Sequence, residues 1–276
     1  MNLVVQGPAL ASGDLEALSL LAKPQSLRQL SSRAWRLKGA MKNEGIAPLC
    51  EARRIDHAWI EEGRRFADLE LLAMDMDSTL ITIECIDELG DFAGKKAEIA
   101  AITAQAMRGE IEYRESLRRR VKALAGLDES VLLRVYDERL KLTPGAQALI
   151  SACKRHGVQL LLVSGGFSFF TERLKARLGL DHTLSNVLEV KDGKLSGALV
   201  GDIVDADAKA ARFRQVLSSL HAGKERSVAI GDGANDLKMM AEAGVSIAFR
   251  AKPLVRAQAS CALNWCGLDA VVNLFE

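Results

Sequence analysis

The sequence predicts an α/β protein: a doubly wound parallel-sheet core over residues 71–276, a helical cap inserted at about 86–142, and a small N-terminal α+β domain over residues 1–70. Three observations carry this reading. Apolar runs at Leu71-Leu-Ala-Met74, Val158-Gln-Leu-Leu-Leu-Val163 and Ser227-Val-Ala-Ile230 each end in small or acidic residues. From Thr143 onward, strand-like and helix-like patterns alternate, as they do when helices cover both faces of one sheet. Between the first two runs that alternation is interrupted by a stretch with helical periodicity alone.

Taken in order, the chain opens on a strand-like apolar start within Met1-Asn-Leu-Val-Val-Gln6. Asp14-Leu-Glu-Ala-Leu-Ser-Leu-Leu21 then places Leu15, Leu18 and Leu21 or Ala22 on one helical face. A strand is expected at Ala34-Trp-Arg-Leu-Lys38, and a helix from Leu49 through Ile60. In the inserted segment Ile99, Ile102 and Ala106 recur at helical spacing, as do Leu117, Val121 and Leu124. Thr143 and Pro144 stand where an N-cap and a first helical residue belong, with Gly157 as the stop before the Val158 strand. A helix over 167–178 follows. Lys191-Asp192-Gly193-Lys194 is a hairpin turn, and a helix over 234–243 ends at Gly244. Strands over 245–249 and 262–265 complete the alternation.

Composition excludes several classes of function. An apolar fraction of 49% over 276 residues suffices for a real core. With 37 basic against 36 acidic side chains there is no electrostatic footprint for nucleic acid or an anionic membrane. No run approaches the roughly 18 apolar residues of a membrane span, and the start lacks a basic leader, so the expected location is cytoplasmic. Five cysteines, at 50, 85, 153, 261 and 266, without Cys-x-x-Cys spacing, predict reduced thiols rather than disulfides or a zinc site. Nothing specifies an oligomeric state.

The chemistry concentrates at the strand ends. Asp75 and Asp77 fall on the same side of an extended backbone at the mouth of an apolar strand, so negative charge gathers where water is scarce. That arrangement needs a cation, and a divalent metal held by oxygen ligands would in turn attract a phosphate. Alone, Asp-x-Asp-Ser-Thr is more often a polar turn after a strand. Its recurrence with Ser164-Gly165-Gly166 and Gly231-Asp232-Gly233-Ala234-Asn235-Asp236 at two further strand ends marks a site, because open parallel sheets bind ligands at their carboxyl ends.

In this order, Asp75-Met-Asp-Ser-Thr79, Val163-Ser-Gly-Gly-Phe167 and Gly231-Asp-Gly-Ala-Asn-Asp236 resemble the motifs of the haloacid dehalogenase superfamily. Over most of residues 71–276 the chain is similar to its phosphoserine phosphatase family. Glu84, nine residues after Asp75, the stretch Tyr113-Arg-Glu-Ser-Leu-Arg-Arg-Arg120-Val, Ala208-Lys209 and Phe249-Arg-Ala-Lys-Pro253 sharpen the likeness. The resemblance implies magnesium-dependent hydrolysis of O-phospho-L-serine to L-serine and phosphate through a phosphoaspartyl intermediate, the last step of serine biosynthesis. It also implies that the inserted helices form a mobile cap, and that residues 1–70 are a truncated ACT-like extension.

Roles follow from the resemblance residue by residue. Asp75 is the expected nucleophile and Asp77 the general acid, later the base toward water. Mg2+ is expected on the Asp75 carboxylate, the Asp77 main-chain carbonyl and Asp232. Lys209 should place a point charge on the transferring phosphoryl group, with Ser164, the Gly165 amide and Asn235 as donors to it. Asp236 either orients metal-bound waters or simply favours the start of a helix. Glu84 corresponds to the acid facing the substrate ammonium and Arg120 to the base facing its carboxylate. Of the neighbouring arginines, Arg119 points away from the Leu117, Val121 and Leu124 stripe and Arg120 flanks it. Met107 and Tyr113 correspond to apolar cap contacts, although the family commonly has Phe where Tyr113 stands. A phosphatase or phosphotransferase for another small phosphoester, and a phospho-accepting signalling module, are the competing readings.

Overall fold

In the computed structural model, which describes residues 1–276, the first sixty residues build a four-stranded antiparallel sheet carrying two helices on one face. The elements β1 (Asn2–Gln6), α1 (Ser12–Ala22), β2 (Ser26–Ser31), β3 (Ala34–Lys38), α2 (Ile46–Arg53) and β4 (Asp56–Ile60) give the strand order β2-β3-β1-β4. Successive strand residues face opposite sides. Leu3, Val5 and Leu37 therefore pack under Leu18, Ala22, Ile46 and Cys50, while Val4, Ala58 and Ile60 turn the other way and join the core of the larger sheet.

Cap helices α3 (Cys85–Phe92), α4 (Lys96–Met107), α5 (Tyr113–Lys122) and α6 (Ser130–Arg134) follow β5 (Leu71–Met74). The alternation then runs α7 (Ala146–His156), β6 (Gln159–Phe167), α8 (Ser168–Leu178), β7 (His182–Lys191), β8 (Lys194–Val200) and α9 (Ala206–Ser219). It closes with β9 (Ser227–Gly231), α10 (Leu237–Glu242), β10 (Val245–Phe249), α11 (Pro253–Gln258) and β11 (Cys261–Leu263). The seven strands lie in the order β11-β10-β9-β5-β6-β7-β8, parallel except for the β7–β8 hairpin. Leu72, Met74, Leu160, Leu162, Val228 and Ile230 face a 48-residue core shared with α7 and the cap. Leu71, Ala73, Leu161, Val163 and Ala229 face a second core under α9 and α10. Strand β5 sits between β6 and β9, so the chain winds to either side of it, and ligand sites form at such switch points.

Several local expectations are corrected. The segment read as one helix from Leu49 to Ile60 is the end of α2 and then β4, whose buried residues alternate. Strand β2 was not anticipated, because it is an exposed edge strand with no apolar alternation. Thr143 and Pro144 lie in a turn, and α7 starts only at Ala146, after Gly145 at φ 83. The segment from Ala234 is a 3-10 turn, Ala234–Asp236, before α10, and the last strand is Cys261–Leu263. Of the first cap stripe only Ile99 is buried; Leu117, Val121 and Leu124 are all buried.

Two sets of contacts hold the pieces together. At the seam between the sheets, the buried Asp56 carboxylate accepts N–H bonds from Asn264 (2.7 Å), Trp265 (3.1 Å) and Cys266 (2.8 Å). Beside it, the buried Arg36 guanidinium donates to the carbonyls of Asn273 (3.0 Å) and Phe275 (2.7 Å) and pairs with the Glu276 side chain (2.9 Å). The cap is joined to the sheet through its two connections and also by residues 126–129. Those residues hydrogen-bond to β8 and its turn: Gly126 N–H to Leu195 O, Leu195 N–H to Leu127 O and Glu129 N–H to Gly193 O. All five cysteines are free, four of them buried. No helix is long and apolar enough to cross a membrane.

Candidate active site

Strand β5 delivers Asp75 at its carboxyl end, and a wide turn over Met76–Leu80 then reverses the chain. The turn holds Ser78 at φ 55, a left-handed conformation that non-glycine residues seldom adopt and that is often found at functional sites. Asp75 is buried; one carboxylate oxygen accepts the Met76 N–H (2.7 Å) and the other lies 3.0 Å from Lys209 Nζ. Lys209, fully buried on the first turn of α9, also donates to Asp236 at 2.7 Å. Asp236 accepts the Gly233 N–H, and Thr79 Oγ1 donates to Asp232 at 3.2 Å. Two neighbouring strand ends, those of β5 and β9, thus bring Asp75, Asp232 and Asp236 together, with a carboxylate oxygen from each within 4.8 Å of the others.

Electrostatically this cluster is under-compensated. Burial, then the neighbouring Asp236 carboxylate, raise the Asp75 carboxyl well above its ordinary range, and Lys209 offsets only part of that. Asp232 is pushed up to about 6 by burial and by Asp236. Burial works against the charge on Lys209, but Asp236 and Asp75 hold it firmly protonated. One ammonium among three carboxylates, with oxygen as the only donor type, is an environment that a hard divalent cation fits.

Asp77 sits apart from that cluster in its contacts. Its Oδ1 accepts the Cys85 N–H at 2.8 Å and its Oδ2 accepts from Ser164 Oγ at 3.3 Å; burial is the largest influence and raises its carboxyl. Ser164 Oγ in turn accepts the Gly166 N–H at 2.8 Å, so the hydroxyl expected to face a phosphoryl group is directed at Asp77. A Cβ at Gly166 would lie 2.6 Å from Asp77 Oδ2 and 2.8 Å from Met76 Cε, so any side chain there would displace Asp77 from its place. The same applies at Gly165, where the Tyr113 hydroxyl of the cap occupies the position a side chain would take.

The cap contributes the remaining candidates. Tyr113 lies over Gly165 with its hydroxyl toward the Val204 carbonyl (3.4 Å), and burial raises the phenol, opposed by the charges of Lys209 and Arg120. Arg120 is half-buried while Arg118 and Arg119 are exposed, in line with the helical-face argument. Its Nε lies 3.4 Å from the Ser116 carbonyl. Glu84 stands at the rim, open to solvent, and accepts from Ser78 Oγ at 2.7 Å. Partial loss of water around its carboxyl, then the Asp77 charge, raise it. Asn235 is half-buried beside Gly233. Met107 is 62% exposed with Lys252 Nζ 3.5 Å from its sulfur, a rim position rather than a buried apolar contact.

Sequence reasoning passed over Asn186, which is buried in the middle of β7. Its amide donates to the Gly165 carbonyl (2.8 Å) and its oxygen accepts the Val204 N–H (2.8 Å), tying the Gly165 turn to the approach to α9. Nothing local marks it. Asp205 was also missed, although a readable signal existed: an Asp before Ala-Asp-Ala-Lys is an N-cap pattern, and its Oδ1 accepts the Ala208 N–H at 3.0 Å.

A family model described as haloacid dehalogenase-like hydrolase matches residues 72–241. A phosphoserine phosphatase of Polaromonas sp. is 52% identical over 217 residues, which make up 77% of this chain and 92% of that protein. The unliganded crystal structure of a probable phosphoserine phosphatase from Vibrio cholerae superposes with a TM-score of 0.87 at 34% identity, covering 99% of this chain and 86% of that one. A phosphoserine phosphatase structure described as a phospho-aspartyl intermediate analogue covers 75% of this chain and 99% of that one, with a TM-score of 0.71 at 36% identity.

Proposed function

The chain belongs to the haloacid dehalogenase-like hydrolase family, and on that premise we propose that it is a phosphoserine phosphatase, hydrolysing O-phospho-L-serine to L-serine and phosphate. The observation that carries the reading is the division of labour between two carboxylates two residues apart, Asp75 buried and Asp77 half-buried. Asp75 lies against Lys209 and the acidic cluster; Asp77 turns away to Ser164 and the Cys85 amide.

In this mechanism Asp75 attacks phosphorus in line with the ester oxygen, and the P–O bond to serine breaks as Asp77 gives its proton to the departing oxygen. Asp77, now a carboxylate, takes a proton from the water that attacks the phosphoaspartate, which releases phosphate and regenerates Asp75. The raised carboxyl of Asp77 suits it to the first of these steps. Lys209 neutralises phosphoryl charge, and Ser164, the Gly165 amide and Asn235 orient the phosphoryl oxygens. Mg2+, held by Asp75, Asp232 and the Asp77 carbonyl with Asp236 beside them, would supply charge neutralisation to the phosphoryl group and restore the ionised form of Asp75. Glu84 and Arg120 read the substrate's ammonium and carboxylate, with Tyr113 and Met107 from the cap. We place the reaction in the cytoplasm, with a small molecule rather than nucleic acid or membrane as partner. The ACT-like N-terminal domain contributes none of these residues.

The test is steady-state phosphate release across phosphoserine, phosphothreonine, phosphoethanolamine and phosphohomoserine, with and without magnesium. Phosphoserine should be turned over at least tenfold more efficiently than the others, and only with the metal. Equal rates across the panel would sink the substrate assignment, and transfer to an added alcohol in place of hydrolysis would make the protein a phosphotransferase.

A further inference from the structure

Three contacts run from one corner of the cap, between α4 and α5, to the face that carries the acidic cluster. Arg114 Nε and Nη2 lie 2.7 and 2.5 Å from Asp205 Oδ2. The Tyr113 hydroxyl faces the Val204 carbonyl, and Lys252 Nζ meets the Met107 sulfur. The rest of the cap is bound more deeply: Leu117, Val121, Leu124, Val131 and Leu132 belong to the 48-residue core, and residues 126–129 hydrogen-bond to the β8 hairpin. Helix α4, by contrast, buries only Ile99, and residues 107–110 are all exposed. Few buried apolar contacts mark the segment that opens at least cost. The part of the cap free to swing is therefore this corner rather than the whole insertion.

The landing point is well connected. Asp205 caps α9 through the Ala208 N–H, one residue before Lys209, and the Val204 N–H is held by Asn186, whose amide also holds the Gly165 carbonyl. Two adjacent residues thus touch the moving corner, the lysine helix and the Ser164-Gly165-Gly166 turn.

We propose that Arg114 and Asp205 are positioning residues for the hydrolysis: their ion pair latches the α4–α5 corner, and with it Tyr113, over the Gly165 turn, holding the closed arrangement that substrate meets. The proposal rests on the phosphoserine reading only for its choice of substrate. With side-chain exposures of 52% for Arg114 and 16% for Asp205, the pair stands partly in water, so salt weakens it and closure becomes dependent on ionic strength.

The experiment compares the magnesium-loaded full chain with Asp205→Asn, Arg114→Gln and the double variant. Asn caps helices about as well as Asp, so Asp205→Asn removes the latch without fraying α9. Each single change should raise KM for phosphoserine by about 3- to 10-fold with kcat within about twofold, and the double should be no worse than either single. KM of the wild type should rise with added salt, this rise should flatten in all three variants, and Arg114→Lys should recover part of the loss. In substrate-free protein, amide hydrogen exchange over residues 96–114 should quicken several-fold in the variants while residues 117–135 stay unchanged. Unchanged exchange over 96–114, single losses that multiply in the double, or an undiminished salt response would each overturn the latch. A wild type inert toward phosphoserine would instead overturn the substrate reading, and exchange alone would then decide the latch.

Discussion

At the scale of single residues, Asp75 and Asp77 are separated by one methionine and yet should fail differently. Asp75→Asn should lower phosphate release by about 1,000-fold or more, because no acyl phosphate can form on an amide. Asp77→Asn should still bind substrate but turn over very slowly, because both the departing oxygen and the attacking water lose their proton partner. Near-normal turnover by freshly purified Asp75→Asn, checked for deamidation, would exclude it as nucleophile. Arg120→Ala should cost roughly 2 to 4 kcal/mol of transition-state stabilisation for phosphoserine, about 30- to 1,000-fold in kcat/KM. Phosphoethanolamine, without a carboxylate, should be nearly unaffected; equal fractional losses on the two substrates would assign Arg120 to the phosphoryl chemistry instead. Asp75 and Asp77 stand out in the sequence because they sit in a short motif at a strand end, whereas Arg120 on α5 is singled out only by the family resemblance and its helical face. Asn186 does not stand out, because its worth lies in two backbone groups, at Gly165 and Val204, that only folding brings within its reach.

At the scale of elements, legibility followed the strength of the apolar pattern. The buried parallel strands β5, β6, β9 and β10 read directly from their apolar runs. Strand β4 was misread because Asp-His-Ala-Trp-Ile has no apolar residue at its first position. Its Asp56 is instead satisfied by three amides about 208 residues away. That carboxylate makes a sharp prediction. Asp56→Ala leaves those three partly buried N–H groups without their acceptor, at a cost of roughly 2 to 4 kcal/mol, or about 5 to 10 °C in Tm. The kcat/KM of the protein that remains folded should be unchanged. A calorimetric scan and a rate measured at 25 °C settle both, and a large drop in kcat/KM with an unmoved Tm would tie the seam to the chemistry instead.

At the scale of the whole molecule, the under-compensated acidic cluster should make stability depend on pH and metal together. Without a metal, burial and Asp236 push the Asp232 carboxyl up to about 6, above its usual ~3.9, so between these the native state holds a proton that the unfolded chain has released. That contribution is intact below ~4 and is lost as pH rises toward 6. A cation competes with that proton, so the gain in Tm on adding Mg2+ should be several degrees larger at pH 7.5 than at pH 5. A gain independent of pH would mean the ion binds elsewhere. The two-sheet seam bears on a different property, the order of assembly during synthesis. One face of the N-terminal sheet closes on α1 and α2 with its own neighbours in sequence. The other joins the core of the larger sheet through Val4 and Ile60, and its Arg36 and Asp56 find their partners in residues 264–276. Local contacts form early and distant ones late. A growing chain must therefore carry an exposed apolar strip and an unpaired arginine and carboxylate until nearly all of the larger sheet has been made, an interval in which the nascent protein is open to chaperones and to self-association.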